Sequence, residues 1–166
     1  MDIELLRARS RFTQAVRAFF LERRYLEVDT PLLAPALIPE PALEVFRTEW
    51  IDPRSLSARE LFLIPSPELW MKRLLARGSG NLFQICKAFR NFEALGRYHN
   101  PEFTMLEWYT VGAGYLDSAD LTDELLGCLA GIQPSVLTAD DTSALERGIC
   151  EPQSRDYQQR PYRQNY

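Results

Sequence analysis

FRNFEALGRYHNPEFTMLEWY, residues 89–109, is the stretch that decides how this chain folds. It gathers two arginines, the only histidine and six aromatics within and between two strand-like segments. Just upstream, residues 81–89 place Phe83, Ile85 and Phe89 on one face at a period of two, as a half-buried strand does. Arg90 therefore stands at a strand end. Downstream, residues 103–110 place Phe103, Met105, Glu107 and Tyr109 on one face, with Thr104, Leu106, Trp108 and Thr110 on the other. Asn91, Gly96, Asn100 and Pro101 supply turn chemistry, so the two segments read as an antiparallel hairpin with a long polar loop. Loops of that kind carry function. An arginine at the hairpin base can make two parallel hydrogen bonds to phosphate oxygens where lysine offers a point charge. Phe103 could stack a base. The mixture is that of a pocket for a nucleotide and an amino acid.

Working outward, Leu5, Ala8, Phe12, Val16 and Phe19 recur at helical spacing, with Arg7, Arg11, Arg17 and Arg23 on other faces. This predicts an amphipathic helix of roughly five turns that buries one stripe. It feeds an extended segment ending at Pro31. Ser66 and Pro67 make a helix start and Gly78 and Gly80 a stop. A proline-rich connection spans Ala34 to Pro41, and Asp117 or Ser118 could cap a helix whose Leu121, Leu125 and Leu129 form one stripe.

The 89–109 run resembles motif 2 of the class II aminoacyl-tRNA synthetases, specifically the lysine branch. RRYLEVDTPLL, residues 23–33, resembles motif 1 of the same class. LFLIPSPELWMKRLL, residues 61–75, is similar to the strand, turn and helix that present a glutamate to the substrate α-amino group, here Glu68. Within the branch, GRYHNPEFTMLEWY is most similar to the lysyl-tRNA synthetase paralogue that ligates lysine or β-lysine to elongation factor P. The start at Met1, with no room for an anticodon-binding barrel before the first helix, points the same way. The resemblance spans about Leu5 to Leu126.

That resemblance implies roles residue by residue. Arg90 clamps the ATP α-phosphate and is the catalytic candidate. Phe103 lies under adenine, Glu93 accepts from the adenine amino group, and His99 and Asn100 belong to the ATP-binding loop. Glu107 and Tyr109 read the substrate ε-ammonium, which their shared strand face independently permits. The implied reaction is adenylation of lysine or β-lysine, with Mg²⁺ leaving on pyrophosphate, followed by transfer to elongation factor P in preference to tRNA. Homodimerisation through the motif 1 region is implied too. Two departures stand out. Phe92 intervenes before Glu93, where the family has a glutamate directly after FRN. Nothing after Leu126 resembles motif 3 or the acids that hold the metal, so the Mg²⁺ ligands are expected in a missing C-terminal part. The enzyme reading therefore requires that motif 3 be supplied or dispensable. The alternatives are lysyl-tRNA synthetase activity and a non-catalytic remnant that binds ATP or a partner.

Blander roles stay open for several residues. Arg90 could be a structural ion-pair partner, and Phe103 and Tyr109 plain core aromatics. Glu68 could be a first-turn acid favoured by the helix dipole. Glu107, a carboxylate in an apolar strand, needs a partner, and Arg73 could be that partner.

Composition narrows the field. With 166 residues, 46% of them hydrophobic and 25% charged, the chain suits one globular domain. A formal net charge of −4 gives no broad basic footprint for nucleic acid and favours a protein or small-molecule acceptor. Cys86, Cys128 and Cys150 have no metal-like spacing and read as reduced thiols of a cytoplasmic protein. No apolar run is long enough to span a membrane. The tail EPQSRDYQQRPYRQNY, residues 151–166, has no aliphatic residue to bury. The expectation is an α+β fold: a class II synthetase-like antiparallel sheet flanked by helices, incomplete at the C-terminus. Residues 1–137 form a partial catalytic domain and 138–166 a disordered or aberrant tail. No metal site is expected within the chain.

Overall fold

The computed structural model describes residues 2–36, 39–41, 43–92, 96 and 99–132. Its elements run α1 (Ile3–Glu22), β1 (Leu26–Glu27), β2 (Leu33–Ala34), β3 (Arg47–Ile51), β4 (Ala58–Leu63), α2 (Glu68–Leu75), β5 (Leu82–Phe89), β6 (Glu102–Tyr109) and α3 (Tyr115–Ala130). They fall into two compact units, one made by residues up to 26 with those from 110 onward and the other by residues 27–109. The α+β class is as expected, and the expected tail lies outside the described residues.

The first unit is helical. Asp2 caps α1 by accepting from the Glu4 and Leu5 N–H groups, satisfying donors that the first turn leaves open. The helix closes with paired bonds from Arg24 N–H to Leu21 and from Tyr25 N–H to Phe20, with Arg24 left-handed at φ 60°. That is the geometry glycine usually supplies. The buried face is not the stripe expected. Ala15, Val16, Phe19 and Phe20 are buried, whereas Leu5 and Phe12 are exposed and Arg11 is buried. Periodicity identifies one face of a helix, but not how far along that face a partner extends. The core instead forms around the helix C-terminus. Phe20 meets Phe19 and Tyr25 edge-on, each pair with centroids 5.2 Å apart. Arg23 lies 3.6 Å above the Phe19 ring and pairs with Glu124 of α3 at 3.5 Å. In α3 the N-cap is Gly114, not Asp117 or Ser118; Asp117 instead accepts from the Gly114 N–H at 2.8 Å. Leu121 and Leu125 are buried as expected, with Cys128 beside them. Cys86 is free, but Cys128 is disulfide-bonded, which corrects the expectation of reduced thiols.

The second unit holds two three-stranded sheets, ordered β1-β5-β6 and β2-β4-β3. In the first, β5 and β6 are antiparallel along their full lengths, from Leu82 opposite Tyr109 to Phe89 opposite Glu102. Val28 N–H donates to Phe83 C=O on the other edge of β5. The buried face of β5 is not the one expected: Leu82, Gln84, Cys86 and Ala88 are all buried, whereas on the expected face Phe83 is buried and Ile85 and Phe89 only half-buried, because the strand is covered on both sides near Leu82 and Phe83. In the second sheet β4 pairs antiparallel with both β2 and β3. The strand β3 was not foreseen. All five of its residues are exposed, so it carries no apolar alternation for sequence reading to detect. The sheets meet where Phe89 N–H donates to Ile64 C=O. From Ile64 the chain turns through buried Pro65 and Pro67 into α2, which ends at Gly78 and Gly80, both with positive φ.

Candidate active site

The hairpin of β5 and β6 organises the candidate residues at two places. At the loop end, Arg90 N–H donates to Pro101 C=O at 3.0 Å and closes the hairpin neck. Its guanidinium lies 5.4 Å from the Phe103 centroid, within cation–π range. Phe103, opposite Ala88, is half-buried. Asn91 N–H donates to Glu44 C=O, and its side chain accepts from Phe92 N–H. Phe92 itself is 94% exposed with φ 54°, a strained conformation for a bulky residue. His99 and Asn100 are exposed, and Glu93 lies outside the described residues.

At the other place, Glu107 and Tyr109 share a face as expected, and the Tyr109 hydroxyl donates to Glu107 Oε1 at 2.8 Å. Ser66 approaches from the turn before α2. Its hydroxyl accepts from Glu68 N–H at 3.2 Å and lies near enough to the Glu107 carboxylate to favour its ionised form slightly. Glu68, in the first turn of α2, is ion-paired to Lys72 one turn later. Arg73 is not the partner of Glu107; it lies 5.0 Å over the Trp70 ring. Burial pushes the Glu107 carboxyl above the usual carboxylate range. The Tyr109 hydrogen bond opposes this, Glu68 adds to it, and Lys72 and Ser66 again oppose it. Tyr109 is raised by burial and then by its bond to Glu107, so it stays a neutral donor. Burial likewise pushes the Cys86 thiol up to about 11, which keeps it unreactive.

Glu107 and Phe103 lie four residues apart on one face, about 13 Å along the strand. A half-buried carboxylate held by a tyrosine hydroxyl can accept an ammonium, since each charge alone is costly to bury. An aromatic face beside an arginine accepts a base and its phosphate. A mainly apolar pocket of about 70 Å³ lies on the other side of Ser66, lined by that residue with Ala34, Ile64, Leu69, Trp70 and Arg73 among others. Among the described residues no group of three or more His, Cys, Asp or Glu could hold a metal ion.

Sequence reading missed Ser66 as a Glu107 partner, Lys72 as the cation on Glu68, and Gln84, which faces Glu107 across the sheet. The first needs a three-dimensional turn. The second was legible as an i, i+4 pair, and the third required the strand register.

Residues 3–144 match the family model for tRNA synthetases class II (D, K and N). Among relatives, the chain is 52% identical over 125 residues to the elongation factor P (R)-β-lysine ligase of Vibrio parahaemolyticus, covering 75% of this chain and 38% of that protein. It is 50% identical over 124 residues to the same ligase of Vibrio atlanticus, with the same coverage. It is 46% identical over 134 residues to that of Pseudoalteromonas translucida, covering 81% of this chain and 41% of the relative. The chain thus spans about two-fifths of the length of these curated relatives. Hairpin, motifs and matches agree that this chain belongs to the class II aminoacyl-tRNA synthetase family of D, K and N type.

Proposed function

We propose that this chain carries the lysine- and nucleotide-reading part of an ATP-dependent ligase that activates lysine or (R)-β-lysine and transfers it to elongation factor P. The observation that carries the reading is the hydrogen bond from Tyr109 to half-buried Glu107 on the strand that runs back from the Arg90 neck. About 50% identity to ligases of that name supports the acceptor. Glu107, with Tyr109, holds the side-chain ammonium, and Glu68 holds the second amino group after Lys72 gives way. Phe103 stacks the adenine. Arg90 grips the α-phosphate as the substrate carboxylate attacks it and pyrophosphate leaves, so the contribution of the chain is orientation and charge stabilisation. His99 and Asn100 lie along the exposed loop where they can meet ATP. Family membership implies use of ATP. The described residues do not assemble a magnesium site, and no step here is assigned to the metal. Exposed Ile3, Leu5, Leu6 and Phe12 on α1 support pairing of two copies through the motif 1 region.

The test is acceptor choice. The purified chain is incubated with ATP and (R)-β-lysine together with either elongation factor P or lysine tRNA. A mass increase on elongation factor P with no charging of tRNA is the expected result. Charging of tRNA alone would make the chain a lysyl-tRNA synthetase. Neither product, from a folded chain that binds lysine, would leave a binding module.

A further inference from the structure

Gln84, in the middle of β5, is 1% exposed. A primary amide buried that deeply needs partners for both its ends. Its Oε1 accepts from the Thr30 hydroxyl at 2.9 Å, and Thr30 is itself buried. Its Nε2 meets no oxygen or nitrogen acceptor among the described residues, and the Cys86 thiol beside it, two residues along on the same face, is only a weak acceptor. A methionine would fill the same volume with no unmet donor. The amide therefore points to a partner present when ligand is bound.

Two constraints locate that partner. Thr30 holds the carbonyl end of a planar amide, which turns the N–H₂ end away from it. The sheet register sets Gln84 directly opposite Glu107, so both side chains project from the same face, at a Cβ separation of about 5 Å. We propose that Gln84 is a positioning residue for Glu107: its amide donates to the Glu107 carboxylate when that carboxylate turns to receive an ammonium, and so sharpens selection of a diamino acid. This rests on the amine-reading role of Glu107 under Proposed function. A neutral donor does this without adding charge, whereas a carboxylate at the same place would repel Glu107 directly across the strand pair. The cluster then has donors on three sides of one carboxylate: Tyr109, Ser66 and Gln84.

Calorimetric titration of the whole chain with lysine, (R)-β-lysine, norleucine and ATP tests this, since norleucine keeps the chain length but lacks the terminal ammonium. Gln84→Met is expected to weaken binding of the preferred diamino acid about tenfold, leaving norleucine and ATP unchanged. Thr30→Val, which unlocks the amide, should give a smaller loss, and Thr30→Ser should restore it. The double variant Thr30→Val with Gln84→Met should be no worse than Gln84→Met alone, a non-additivity that a merely structural role does not produce. Equal diamino acid binding by wild type and Gln84→Met overturns the assignment of Gln84 and leaves the proposed function standing. Should folded wild type bind neither diamino acid, the amine site and Gln84 both fall.

Discussion

The two ends of the β5–β6 hairpin are built on opposite plans. At the proposed amine end, Glu107 is half-buried and already hydrogen-bonded to Tyr109, with Ser66, Glu68 and Lys72 alongside. At the proposed nucleotide end, Arg90 over Phe103, with the backbone bond from Arg90 to Pro101, is flanked by exposed Asn100, His99 and Phe92. Selectivity between similar amino acids needs a rigid, desolvated reader, because only unmet buried groups penalise the wrong ligand heavily. ATP brings its own charge and a large aromatic surface, so an open platform with one arginine suffices to begin capture. Under the proposed function, specificity would reside in the sheet and capture in the loop.

The largest effect expected from breaking this contrast is at Arg90. Arg90→Ala should lower lysine-dependent activation about 10³-fold, and Arg90→Lys should recover little, because a point charge does not reproduce the planar fork. Initial-rate kinetics on both variants would show it. Next comes the amine end. Glu107→Gln should weaken lysine binding about 30- to 100-fold, a figure reduced from that of a fully buried ion pair because Glu107 is half-buried. ATP affinity should be unaffected, and titration with each ligand separates the two ends.

The same carboxylate sets a pH dependence. Its folded-state pKa is raised, so its contribution to stability is fully present below the ordinary glutamate value and is lost as pH rises through the raised one. Glu107→Gln should accordingly melt higher than wild type above that window. Lysine binds the ionised form, so its affinity should rise with pH across the same interval, and a pH series of titrations checks the sign. Smaller again, Phe103→Leu should cost about tenfold in ATP affinity through lost stacking and cation–π contact. Smallest is His99→Ala, expected within threefold for ATP because the side chain is exposed. A drop as large as that of Phe103→Leu would mean the loop end is more tightly organised than this contrast allows.

How much of this was legible in the chain follows from what each residue depends on. The antiparallel hairpin could be read from two strand-like segments joined by turn residues, but the more buried face of β5 carries Leu82, Gln84, Cys86 and Ala88 and not the Phe83, Ile85 and Phe89 of the period-two pattern. Glu107 and Tyr109 followed at once. The partner of Glu107 could not be read, because Ser66 reaches it through a proline turn whose path no local pattern specifies; Arg73, the sequence-level candidate, stacks on Trp70. In α1 the stripe was visible but its buried part was not. Burial there follows the Phe19, Phe20 and Tyr25 cluster at the helix C-terminus, which depends on tertiary partners. The exposed strand β3 left no signal at all.

The most direct test of the account is amino acid-dependent ATP–pyrophosphate exchange by the purified chain, run with lysine and (R)-β-lysine, wild type against Arg90→Ala. Exchange with one of these amino acids, abolished by the substitution, is the predicted result. Exchange of equal rate in both proteins, or none from a folded wild type that binds ATP and the amino acid, would contradict it.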